Sequence, residues 1–119
     1  MTLRRIALIP VAALAVALPT TASAKSSGLV GEVGPGFTIE VNLNGKDVKR
    51  IKAGTYTMKI QDKASVHNFH LKGPGINKRT SVAGTGETTW RIKLKPGVYT
   101  YQCDPHAASG MKGTFRVTG

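Results

Sequence analysis

Cysteine is almost absent from this sequence: Cys103 is the only one, which excludes a disulfide within the chain. Acidic residues are scarce too, 6 against 17 Lys and Arg, so the formal net charge is +11. That imbalance speaks to solubility and to the charge of partners, not to fold. Aromatic residues make up 6% and do not interleave with the basic clusters, which argues against a stacking platform for nucleic acid. Three histidines are too few to build the second metal site that an oxygen- or nitrite-reducing enzyme would need. No apolar run reaches the roughly 20 residues of a bilayer span, because Ile6–Leu18 is broken by Pro10 and stopped by Pro19.

The amino-terminal pattern has an export signal's layout. Thr2–Arg5 is a short basic segment, Ile6–Leu18 an apolar run, and Ala22-Ser23-Ala24 a small-residue cleavage site. Residues 1–24 are therefore expected to be a cleaved signal peptide, and residues 25–119 a single domain in the periplasm or outside the cell. Two of the basic residues, Arg4 and Arg5, leave with the signal, and the remainder stays strongly basic. An exported chain with one thiol raises a chemical question. An oxidising compartment favours disulfides, so the thiol is buried and inert, paired with another molecule, or held by a metal.

From Phe37 onward the hydrophobic period is two. Phe37, Ile39, Val41 and Leu43 alternate with polar residues, and Asn44-Gly45 follows as a type I′ hairpin signal. The alternation returns at Tyr56, Met58 and Ile60, and again at Trp90, Ile92 and Leu94. Val98–Cys103 and Gly113–Thr118 are shorter candidates, while Gly73-Pro74-Gly75 and Pro96-Gly97 punctuate. Many short strands without a convincing helix predict an all-β fold, an antiparallel sandwich or barrel. Ser65–Leu71 reads as a further strand, with His67, Phe69 and Leu71 on the inner face and His70 pointing away.

Cys103 ends a candidate strand, and His106 and Met111 follow it closely. Pro105 stiffens the stretch between Cys103 and His106, and Gly110 lets the backbone fold back before Met111. With His67 from a neighbouring strand, the set is two imidazoles, one thiolate and one thioether. Structural zinc takes Cys and His, and calcium and magnesium want oxygen. Two His, one Cys and a weak axial Met form the blue-copper donor set. Each member taken singly has an ordinary alternative: a buried Cys is often a small hydrophobe, a His a satisfied core residue, and a Met a gap filler.

These residues resemble the cupredoxins, most closely the plastocyanin and pseudoazurin branch. The likeness runs from about Gly54 to Val117 and rests on Cys103-x2-His106-x4-Met111 followed by Gly113, on Tyr99-x-Tyr101-x-Cys103, and on His67-Asn68. It implies a Greek-key antiparallel β-sandwich with one type 1 copper ion ligated by His67, Cys103, His106 and Met111. It also implies that Asn68 ties the two ligand segments together, and that His106 lies at the surface and passes the electron.

Four protein ligands leave no open position for substrate, whereas catalytic metal sites keep one. The expectation is a monomeric one-electron carrier and not an enzyme, shuttling between redox proteins, with a charge that either steers an acidic partner or simply keeps the surface solvated. Arg91, Lys93 and Lys95 on one strand face, and Lys46, Lys49, Arg50 and Lys52 around the hairpin, would steer such a partner. Ala107, Ala108 and the Gly73-Pro74-Gly75 loop are expected to form the docking rim. The rival reading is copper delivery or storage, disfavoured because only Met58 and Met111 would remain to supply soft thioethers.

Overall fold

A computed structural model describes residues 10–15 and 28–119. The expected signal peptide lies outside the described residues except for 10–15, which form neither helix nor strand. No helix among the described residues is long and apolar enough to cross a membrane.

Among the described residues, ten strands build two five-stranded sheets. In chain order they are β1 (Leu29–Val33), β2 (Ile39–Leu43), β3 (Lys46–Asp47), β4 (Arg50–Lys52), β5 (Gly54–Asp62), β6 (His70–Gly73), β7 (Ile76–Arg79), β8 (Gly86–Leu94), β9 (Gly97–Gln102) and β10 (Lys112–Thr118). One sheet has the order β3-β2-β1-β5-β8, the other β4-β10-β9-β6-β7. Their facing sides enclose one core. Met58, Ile60, Trp90, Ile92 and Leu94 come from the first sheet, and Leu71, Tyr99, Tyr101, Phe115 and Val117 from the second. The period-two alternation places them there: in β8, Trp90, Ile92 and Leu94 are buried while Arg91 and Lys93 face solvent. Tyr99 stacks on Phe115 with centroids 5.3 Å apart. Its hydroxyl accepts the Lys95 N–H at 2.9 Å and lies within donating reach of the carbonyls of Lys95 and Pro74, so a large ring is buried with its polar end paired.

The Asn44-Gly45 signal is realised. Both residues have positive φ, 51° and 80°, and Leu43 pairs with Lys46 across the turn. The sandwich is not purely antiparallel, however. β1 runs parallel to β5, and β4 parallel to β10. After β3 the chain crosses to the second sheet for β4 and returns for β5, and such a crossover lets β5 lie beside β1 in the same direction.

Two strand expectations need correction. Phe37 is not the first inward residue of β2: the strand starts at Ile39, and Phe37 stands 71% exposed in the preceding turn. Ser65–Leu71 is not one strand either, because β6 begins only at His70. In that stretch His67, Asn68, Phe69, His70 and Leu71 are all buried, so inside and outside no longer alternate. His70 therefore does not point to solvent.

Candidate metal centre

Three loops meet at one end of the sandwich. β9 delivers Cys103 to that end, residues 63–69 lead into β6, and the β1–β2 turn adds Gly34–Thr38. After Cys103 the chain forms a 3-10 turn over Asp104–Ser109, with Pro105 in its first turn and Gly110 closing it in the left-handed region at φ 99°. The His106 N–H donates to the Cys103 carbonyl at 3.1 Å, which folds the imidazole back over the thiol. The Cys103 N–H donates to the Met111 carbonyl at 3.0 Å, and the Met111 N–H to the His106 carbonyl at 3.2 Å. Met111, 2% exposed, is thus held beside Cys103 by main-chain bonds on both sides.

The three expected nitrogen and sulfur donors converge. His67 Nδ1 lies 3.0 Å from His106 Nδ1 and 3.7 Å from Cys103 Sγ, and Sγ lies 3.4 Å from His106 Nδ1. Cys103 and His67 are sealed, at 0% and 1% exposure, while His106 is only partly buried. The point in their plane equidistant from the three atoms sits about 2 Å from each, close to a metal–nitrogen bond and a little short of a metal–sulfur one. One proton shared between the two imidazoles would leave the sulfur lone pairs unused. A single soft cation uses all three donors, so the residues fit a copper ion. They also form the only His, Cys and carboxylate cluster of ligand spacing among the described residues.

Asn68 binds the His67 segment to the loop that follows Cys103. Its Oδ1 accepts the Asp104 N–H at 2.7 Å, and its Nδ2 donates to Asp104 Oδ2 at 2.9 Å and to the Thr80 carbonyl at 3.3 Å. His70 stands behind this tie. It is 7% exposed, its Nδ1 is 2.8 Å from Asp104 Oδ1, and its Nε2 is hydrogen-bonded to Asn77 Oδ1. His70 is absent from the converging cluster. Burial pushes the Asp104 pKa up, but hydrogen bonds from Asn68, Gln102 and His70, with the charge of His70, outweigh it and hold the carboxyl at about 2 against the usual 3.8.

A folded-state pKa below the unfolded one stabilises the protein above the unfolded value, and the contribution disappears as pH falls through the folded one. Copper-free protein is therefore expected to lose the Asp104 contribution between about pH 4 and pH 2. Urea midpoints of the wild type and Asp104→Asn should differ near neutrality and converge over that window. A difference that persists unchanged at the acid end would count against the network.

Asp62 Oδ2 and His67 Nε2 are buried with no hydrogen-bond partner among the described residues. Burial raises the Asp62 pKa, opposed by the Ala64 N–H and the charge of His67. Unpaired buried groups are few in native proteins, and each calls for an explanation such as a functional role.

The rim differs from the one expected. Gly73-Pro74-Gly75 lies at the other end of the sandwich: β6 runs antiparallel to β9, with His70 opposite Gln102, and Pro74 meets Gly97 and Tyr99. Ala107 and Ala108 stay in the turn that carries His106, and Phe37 takes the place of the displaced loop, its ring edge-on to His106 at 4.9 Å and to His67 at 5.6 Å. Sequence reasoning missed Phe37, Asp104 and Asn77. Asp104 alone carried a signal, as the carboxylate next to the single cysteine.

A two-sheet β-sandwich with a His-Cys-His donor cluster at one end is the architecture of a cupredoxin, and the cofactor that fits it is a single type 1 copper ion. Residues 42–118 match the copper-binding proteins of the plastocyanin/azurin family, and the chain belongs to that family. Among solved structures it is similar to a Met-to-Gln mutant of rusticyanin, at 26% identity over 76% of each chain and a TM-score of 0.53. It is also similar to Ser-to-Asp and Met-to-Leu rusticyanin variants, at 26% identity over 76% of this chain and 75% of that one, with a TM-score of 0.52. A chain in a heme-copper terminal oxidase dimer matches at 25% identity and a TM-score of 0.52, covering 76% of this chain and 60% of that one. Cupredoxins are in general electron carriers rather than enzymes.

Proposed function

We propose that the chain is an exported one-electron carrier whose copper is ligated by His67, Cys103 and His106, with Met111 as the weak fourth ligand. The convergence of the three donor atoms within 3.7 Å carries this reading. Copper bound there supplies the Cu(II)/Cu(I) couple. The chain's part is to keep the donors in one arrangement through both states. Asn68 fixes the loop to the His67 segment, and main-chain bonds from Cys103 and His106 fix Met111. Burial of His67 and Cys103 excludes water, and partly exposed His106 leaves one ring edge for electrons to cross. Phe37 and exposed Ala108 give the surface around it a weakly polar character, suited to the small, brief contact of a transient redox encounter.

The charge supports an acidic partner. Lys78, Arg91, Lys93 and Lys95 line a groove between β7 and β8 that no acidic side chain enters. Attraction of this kind raises association rates and fades with added salt.

The test cycles copper-loaded protein between oxidised and reduced states in the presence of a Cu(I) chelator. A carrier keeps its copper over repeated cycles, and its electron-transfer rate with an acidic redox protein falls as ionic strength rises. Loss of copper to the chelator at the first reduction would make the chain a delivery protein.

A further inference from the structure

His70 takes no place among the converging donors, yet it is a buried imidazole engaged at both ring nitrogens. The geometry points to His70 as a positioning residue for the metal site: gripped between Asp104 and Asn77, it anchors the Cys103–Met111 loop to the β6–β7 hairpin. This holds the donors together before any ion arrives. It rests on the reading that Cys103 and His106 are ligands.

Asp104 is the joint through which the anchor acts. It directly follows Cys103 and opens the turn that carries His106, so its placement sets both. Its carboxylate receives three side-chain donors: Asn68 Nδ2 at 2.9 Å, Gln102 Nε2 at 2.8 Å and His70 Nδ1 at 2.8 Å. They are unequal as anchors. Gln102 is the residue before Cys103 and moves with it. Asn68 lies in the irregular 67–69 segment beside the other donor, His67. His70, like Gln102, sits in a ladder on both sides, opposite Gln102 of β9 and Arg79 of β7, but it belongs to a strand far from Cys103 in the chain. Its far nitrogen reaches Asn77, a second point on β7.

The grip survives either protonation state of the ring. The Nδ1–H donates to the carboxylate in both, and an amide such as Asn77 can accept from Nε2 or donate to it. Hydrogen bonds to an ionised group are about twice as strong as neutral ones, and a network whose members are all paired rigidifies what it touches. The residues behind a metal's ligands typically change its affinity by about 10–100-fold when removed.

The experiment uses the full chain with His70→Phe, which keeps a ring and removes both hydrogen bonds, alongside His70→Gln and Asn77→Leu. In copper-free protein, amide hydrogen exchange is followed at Asp104 and His106, with Tyr99 and Phe115 as core references; copper affinity is measured separately. His70→Phe should speed exchange at Asp104 and His106 by about tenfold while the references stay within about twofold, and weaken copper binding by about 10–100-fold. His70→Gln should restore part of both, and Asn77→Leu should shift both in the same direction by less. Unchanged exchange at Asp104 and His106 would overturn the proposal, and so would equal loss of protection throughout, which marks a purely structural residue. If His70→Phe does not fold, Asn77→Leu decides, since Asn77 is exposed and its loss leaves the His70–Asp104 bond in place. A wild-type chain that binds no copper would instead refute the ligand reading, and the exchange data would still judge the anchor.

Discussion

Cys103→Ser is expected to turn the copper-loaded protein from intensely coloured to nearly colourless. The sulfur is fully buried, 3.4 and 3.7 Å from the two imidazole Nδ1 atoms, and no other cysteine exists to replace it. Strong red-light absorption in such a site is charge transfer from thiolate sulfur to copper. A serine hydroxyl does not ionise near neutral pH and offers a harder oxygen, so the transition is lost with the atom. Cupric affinity should also drop, by more than the roughly 100-fold that follows loss of a supporting hydrogen bond. The copper-free variant should stay folded, because the substitution changes one atom. Optical titration with cupric salt checks this, and an intense red band retained by the serine variant would remove Cys103 from the site.

Phe69→Ala is the core substitution expected to cost most, about 3–5 kcal/mol. The ring is completely buried, stacks on Tyr101 with centroids 6.0 Å apart at 4°, and meets Trp90 edge-on at 6.2 Å. Gly31 is the reason it fits, since a Cβ there would come within 2.7 Å of two ring carbons. Domains of this size have only about 5–15 kcal/mol in hand, so the loss is a large share of the total. Phe69 also couples the core to the site. Its N–H donates to Thr80 Oγ1 at 2.9 Å, its carbonyl accepts the Thr80 N–H at 3.0 Å, and His67 lies two residues before it. Denaturant unfolding of the copper-free variant measures the effect, and a loss below about 1 kcal/mol would contradict the packing described.

The strands that wall the core were legible because their code is local. Met58 and Ile60, then Trp90, Ile92 and Leu94, alternate with charged or polar residues, and no turn interrupts them. The loop after Cys103 was legible for a related reason: Cys103 and His106 stand three residues apart and need no distant information to be brought together. Gly110 and the Asn44-Gly45 turn followed the same logic, whereas the tie made by Asn68 came from the family resemblance, its partner Asp104 lying 36 residues on. What escaped depends on contacts between segments far apart in the chain. The two-residue period misplaced His70 because residues 65–69 form a turn and irregular chain, and the partly buried Asp104 holds the ring from the other side. Phe37 continued the β2 pattern on paper, but strand pairing stops at Ile39 opposite Val33. Gly73-Pro74-Gly75 was read as a loop, and the turn is Pro74 and Gly75 with Gly73 ending β6; its end of the sandwich was fixed by the β6–β9 register. The parallel pairs depend on where the chain changes sheets, which alternation does not encode.

Every strand that borders a sheet carries an exposed cation: Lys46 on β3, Arg50 and Lys52 on β4, Lys78 and Arg79 on β7, Arg91 and Lys93 on β8. Open backbone along such margins is a template on which another molecule's strand can be added. Two copies approaching margin to margin at β4 or β7, whose only charges are cations, would press like charges together before any new ladder could form, so the same kind of side chain that would attract an acidic partner also guards these margins against fibrous self-association when the molecule is crowded.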